Sequence, residues 1–189
     1  MTEKDTEEDK PLYPSFTTKS PWLDIPNVWK NEAAFRTWLR GSVRRIWSRH
    51  PIKIEYKNSR RYKAPVGRYG KDVWVADCEI CGKQSRDTEV DHIHGGKGWN
   101  SWDEFCVWMY SLLYVTFADI RELCKECHAI VTHSQKLGCS FEEAKIDKEA
   151  ISIQNIGKDK EWLLAHGIVP DKRKEQRKEQ IKNVLRDKG

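Results

Sequence analysis

Two copies of the pattern Cys-x-x-Cys, Cys78 with Cys81 and Cys124 with Cys127, stand 42 residues apart in a chain of 189 residues. Each pair places two soft thiolates on one tight turn, the first followed at once by the turn residue Gly82. Four such ligands suit tetrahedral zinc. The spacing therefore predicts a closed, structural Zn²⁺ site that staples two distant segments and keeps no open position for chemistry. The chain opens on the acidic, polar stretch "MTEKDTEEDK", unlike a secretory signal. Six cysteines without such a signal predict reduced thiols rather than disulfides, and a cytoplasmic setting. No apolar run approaches the ~20 residues of a membrane span, so no membrane partner is expected.

Charge is unevenly distributed. The net charge is +5, yet from Lys30 to Lys71 thirteen Lys and Arg stand against Glu32 and Glu55, a net +11 over 42 residues. A segment this basic predicts a polyanionic partner, with nucleic acid the leading reading. "NEAAFRTWLRGSVRRIWSRHP" reads as an amphipathic helix capped by Asn31, with Phe35, Trp38, Leu39, Val43, Ile46 and Trp47 at helical spacing. Arg36, Arg40 and Arg44 line up on another face, with Arg45 and Arg49 nearby, and Pro51 predicts the end. "IKIEYKNSRRYKAPVGRYGK" then predicts a short strand and a basic loop, in which Arg60, Arg61 and other cations alternate with Tyr56, Tyr62 and Tyr69. Charge mixed with flat rings suits nucleic acid.

These features divide the chain into an acidic, disordered tail at 1–20, a basic helical DNA-binding region at 21–72, a cysteine-bearing core at 73–136 and a helical extension at 137–189. Within the core, Ser101 and Glu104 form a capping box ahead of Phe105, Trp108, Met109, Leu112 and Leu113, and Cys106 among them reads as a buried, inert thiol. In the extension, Ser140 and Glu143 open one helix and "KDKEWLLAHG" another that stops at Gly167. The last stretch carries eight cations and four acids and reads either as a solvated helix or as a second DNA contact.

With the cysteines closing their own site, Asp91, His92, His94 and His128 remain. A carboxylate and an imidazole can hold a divalent ion while leaving positions for water and phosphate, and a neighbouring imidazole can serve as general base. The motifs "CEIC", "VDHI" and "DIRELCKECHAIVT" resemble those of the HNH endonucleases, in particular the four-cysteine zinc forms common among bacteriophage proteins, many of them homing-type or DNA-processing. The flanks "LRGSVRRIW" and "WLLAHGIVP" are similar to flanks of such proteins as well.

The resemblance implies an α+β chain with a small ββα-metal (HNH) nuclease core at 73–136, flanked by N- and C-terminal helices. In it a strand ends at Asp91 and His92, a second runs from Ile120 to Leu123, and a helix contains His128. It implies that Asp91 and His128 bind catalytic Mg²⁺ or Mn²⁺ and that His92 activates water to cut DNA to 5′-phosphate and 3′-hydroxyl ends. It also implies a phage-encoded protein in the bacterial host cytoplasm. The narrow apolar stripe of the last stretch predicts a monomer, and the acidic tail and terminal helix are the expected docking points for a phage or host DNA-processing protein.

Two positions depart from the pattern. Asp119 stands where the family has Asn and is expected to orient His92 by accepting from its ring N–H. Val131 stands where Lys is usual, which removes one phosphate contact unless Lys125 or Lys136 replaces it. Lys97, in the glycine-rich loop 95–98, is placed to approach phosphate, and His94 reads as a solvent-facing side chain. The alternatives are a zinc-stapled DNA-binding module without cleavage and a junction-resolving endonuclease.

Overall fold

The computed structural model describes residues 20–95 and 98–187. The tail expected at 1–20 lies, but for Ser20, outside the described residues, and so does Lys97. The described chain mixes helices with small antiparallel sheets, and its contacts divide it into two compact units. Among the described residues no helix is long and apolar enough to cross a membrane.

The first unit joins residues 20–50 to 98–113. It holds α1 (Pro21–Asp24), α2 (Glu32–Ser48) and α4 (Trp102–Leu113). Asn31 caps α2 by accepting from Ala34 N at 3.0 Å. The α2 stripe packs Val43 against buried Trp99 and Trp108, with Leu39, Trp102, Phe105 and Leu112 around them. Trp99 and Phe105 meet edge to face with centroids 5.0 Å apart. Cys106, expected to be buried, is exposed. The turns of α4 direct Trp102, Phe105, Trp108 and Leu112 inward, and position 106 falls outside that stripe.

The second unit comprises 51–95 and 114–187. Its first helix, α3 (Pro51–Arg60), corrects the strand expected there. Proline needs no N–H at a helix's first position and arrives with a helical φ, so Pro51 starts a helix rather than only ending one. The alternation in "IKIEY" also fits a helix whose inner side carries Ile52, Lys53, Tyr56 and Lys57. Strands β1 (Tyr62–Ala64), β2 (Val73–Asp77) and β3 (Gln84–Ser85) form one antiparallel sheet in that order.

A second antiparallel pair joins β4 (Thr88–His92) to β5 (Ile120–Cys124), with Asp91 opposite Arg121 and His92 opposite Ile120. α5 (Lys125–Leu137) follows β5 without a gap. Cys78, Leu123, Cys124, Cys127 and Val131 are buried together, with Phe141 against them. α6 (Phe141–Asn155), α7 (Asp159–Ala165) and α8 (Lys174–Asp187) bury Ala150, Leu163 and Ile181. Cations of α8 are engaged within this bundle: Arg177 bonds Asp159 at 2.7 Å, Lys178 bonds Asp147 at 2.8 Å, and Arg186 bonds Glu143 at 2.6 Å. The structure builds the last stretch as a helix and pairs these cations with acids.

Candidate metal centre

The turn after β2 brings Cys78 and Cys81 beside Cys124 and Cys127, at the junction of β5 and α5. One sulfur from each of the four lies within 4.8 Å of the others, and Cys81 Sγ stands 3.9 Å from Cys124 Sγ, with no disulfide formed. Sulfurs bound at ~2.3 Å around a tetrahedral zinc lie about 3.8 Å apart, so the set fits such an ion. The four cysteines form a group that can hold a metal ion.

Local backbone bonding arranges both turns. Cys78 O accepts from Gly82 N at 2.8 Å, with Gly82 in the left-handed region at φ 68°. Cys124 caps α5, its sulfur accepting from Cys127 N at 3.4 Å. Burial opposes ionisation of Cys78, but hydrogen bonds from the backbone at Cys81, Cys124 and Ile80 outweigh it and bring the thiol down to about 6. Burial pushes the Cys124 and Cys127 thiols up, Cys127 further through its neighbouring sulfurs. A cation held by the four sulfurs would draw the protons from all of them.

Glu79, between the first two cysteines, latches the two halves together. Its N–H donates to Glu122 O at 3.0 Å, and its Oε1 accepts from Glu122 N at 2.8 Å and from the Tyr56 hydroxyl at 2.6 Å. Glu122 is itself fully buried, with Thr88 donating to its Oε1 and, among the described residues, no hydrogen-bond partner for Oε2. Neither acid was marked by its spacing. Counting back from Cys124 along a strand would have placed Glu122 on the face opposite Leu123 and Arg121.

Beside the cysteines, Asp91 Oδ1 faces His128 Nε2 at 3.7 Å. Two donors this far apart can both reach an ion at ~2.1 Å. Asp91 Oδ2 accepts from Arg121 Nε at 3.2 Å and Nη2 at 3.1 Å, across the β4–β5 pair. Sequence reasoning missed Arg121, though the register of two strands ending at Asp91–His92 and at Cys124 brings it opposite Asp91. Strand alternation puts His92 on the face shared with Ile120, away from Asp91. Among the described residues, the cysteines are the only group of three or more metal-ligand side chains drawn together. His94 is exposed, as expected.

Asp119 closes a capping box on the short 3₁₀ turn Phe117–Asp119: its Oδ2 accepts from Thr116 N and Oγ1, each at 2.7 Å. The Thr116 backbone and side-chain bonds hold its carboxyl below the usual range, with the charges of His94 and His92 adding to the effect. This turn-closing duty was not foreseen, and it engages the oxygen Oδ2. Asp119 O also accepts from Ile93 N at 2.9 Å, tying the ends of β4 and β5 together.

The cations proposed for DNA divide into two sets. Arg36 donates to Asn100 O and Arg40 to Trp99 O at 2.9 Å, and their guanidinium carbons stand 5.0 and 5.2 Å from the Trp99 ring centre. Both are engaged in the first unit's own packing. Arg44, Arg45 and Arg49 are exposed. Arg60 lies over the Tyr56 ring and donates to its hydroxyl at 3.3 Å, and Arg61 is half-buried.

No known protein family, curated protein or solved structure matches this chain.

Proposed function

We propose that the chain is a metal-dependent DNA endonuclease or nickase of the HNH type, hydrolysing phosphodiester bonds to 5′-phosphate and 3′-hydroxyl ends. The observation that carries this reading is the approach of Asp91 to His128, 3.7 Å apart beside the four cysteines, on the two residues where the motif resemblance puts a catalytic ion. In this reading the cysteines hold structural Zn²⁺, and Asp91 Oδ1 and His128 Nε2 hold Mg²⁺ or Mn²⁺. The bound divalent ion supplies charge stabilisation at the scissile phosphate and the departing 3′ oxygen. His92 takes the proton of the attacking water. Arg121 fixes the plane of the Asp91 carboxylate through Oδ2, and exposed Arg44, Arg45 and Arg49 attract phosphates.

A second reading, a zinc-stapled DNA-binding module that does not cleave, is favoured by the Arg121 cation on Asp91 and by the face that the strand register gives His92. Nicking of supercoiled plasmid by wild type and by His92→Ala, with Mg²⁺, with Mn²⁺ and with neither, separates the two. The nuclease reading expects metal-dependent relaxation in wild type and a loss of at least ~100-fold in the variant, the usual contribution of a general base. Equal activity in both proteins would remove His92 from the chemistry. No relaxation by folded, zinc-loaded wild type that still binds the plasmid would favour the binding module.

A further inference from the structure

The hairpin of β1 and β2 carries side chains at its tip that its own folding does not call for. The tip closes on itself: Gly67 N donates to Lys71 O at 2.9 Å, and Lys71 N donates to Arg68 O at 3.4 Å. A Cβ at Gly67 would lie 2.5 Å from Lys71 O, so glycine is required for this closure. Tyr69 follows at φ 61° and ψ 31°, and Gly70 at φ 72°, the two central positions of a type I′ turn. Asn, Asp or Gly fit the first of these with least strain, and tyrosine does not. Nor does burial offset that strain, because Tyr69 is 91% exposed.

The ring of Tyr69 lies against Arg68, whose guanidinium carbon stands 4.9 Å from its centre. On the outer face of the same hairpin, Trp74 is 56% exposed and sits directly across from Lys63, whose ammonium is 5.7 Å from the indole. Ala64 and Val75 take the buried face. Over residues 60–74 five cations stand against Asp72 alone. Attraction to phosphate accounts for the cations but not for the rings, and a duplex keeps its base faces inside the stack. Exposed rings with cations beside them match a strand whose bases are free to stack while its phosphates are held.

We infer that the β1–β2 hairpin is a stacking platform for single-stranded DNA, with Tyr69 and Trp74 taking bases and Lys63, Arg68 and Lys71 taking phosphates. This rests on the reading of the chain as a DNA-acting protein and narrows its substrate to DNA that carries an unpaired strand.

The test is fluorescence anisotropy of the full chain, without added divalent ion, on a labelled single strand of roughly 20 nucleotides and on its duplex, a length that exceeds typical single-strand sites. Tyr69→Asn creates Asn-Gly, the pair most favoured in a type I′ turn, so the variant folds at least as well as wild type. Its affinity for the single strand is expected to fall about tenfold, the scale of one lost stacking contact, with duplex affinity unchanged. Tyr69→Phe should bind as wild type does, and Trp74→Thr should lose single-strand affinity as Tyr69→Asn does. Undiminished single-strand binding by Tyr69→Asn and Trp74→Thr, or equal loss on strand and duplex, would overturn the inference while leaving DNA binding intact. A wild type that binds neither nucleic acid would overturn both, and would leave the rings to a protein partner.

Discussion

Single positions show why a motif residue and its structural duty can differ. Val131 looked like a missing phosphate contact, yet the second turn of α5 faces it into the pocket beneath the cysteines, where it is 6% exposed and packs with Leu123 and Phe141. A lysine there would have to bury or withdraw its charge. Val131→Lys is therefore expected to lower stability by about 3 kcal/mol or more, the cost of an unpaired buried charge plus overpacking. Val131→Ile, one methylene larger and uncharged, should cost about 1 kcal/mol, the low end of what an added core methylene costs. Urea unfolding of the two variants checks this; a lysine variant as stable as wild type would mean that its side chain escapes to solvent. Arg40 carries the same lesson, since a helix face rich in arginine can be turned inward when a tryptophan and carbonyl oxygens await it.

At the scale of elements, α5, α6 and α8 are joined by ion pairs as well as by apolar contact. Asp147 of α6 is buried, with His133 of α5 at 2.8 Å and Lys178 of α8 at 2.8 Å. Burial alone would raise its carboxyl, but the hydrogen bonds from Lys178 and His133 prevail and hold it at about 2. The folded value lies below the ~3.9 of an unfolded chain, so the stabilisation is complete above that pH and is lost as pH falls towards 2. Asp147→Asn should be about 2 kcal/mol less stable than wild type at pH 6, and the gap should shrink to roughly half at pH 3. Urea midpoints at the two pH values test this, and a gap that did not narrow would assign the loss to packing.

The helices that were legible in the sequence are those with caps and a clean period. Asn31 caps α2 and Ser140 caps α6, as read; one strand ends at His92, and the strand expected at Ile120 to Leu123 runs on to Cys124. α3 is not legible because five residues of alternation fit either period, and a proline such as Pro51 starts a helix as readily as it stops one. Within the candidate site the four cysteines are legible by spacing, whereas Asp91 and His128 are singled out only by the motif resemblance. Glu79, Glu122 and Arg121 are legible by neither, because their partners come from strand register and from α3, contacts that only the tertiary fold brings about.

At the scale of the whole molecule, the two units keep different kinds of core. Residues 20–50 and 98–113 hold seven of the nine tryptophans and bury Val43, Trp99 and Trp108 without any of the clustered cysteines. Residues 51–95 and 114–187 hold the cysteine group at the meeting point of β2, β5 and α5, together with only Trp74 and Trp162. A structural metal in such a group contributes on the order of 10–16 kcal/mol, comparable with the whole stability of a typical domain. Chelation should therefore act on the second unit alone. Its transition, followed by thiol reactivity of the four cysteines and by far-ultraviolet circular dichroism, is expected to fall by at least about 15 °C. Tryptophan emission, dominated by the aromatic core of the first unit, should shift at nearly its original temperature. Cys81→Ser should reproduce the chelated behaviour with no chelator present. If emission and dichroism instead fall together after chelation, the units share one cooperative transition; if neither moves, the four sulfurs carry no stabilising ion.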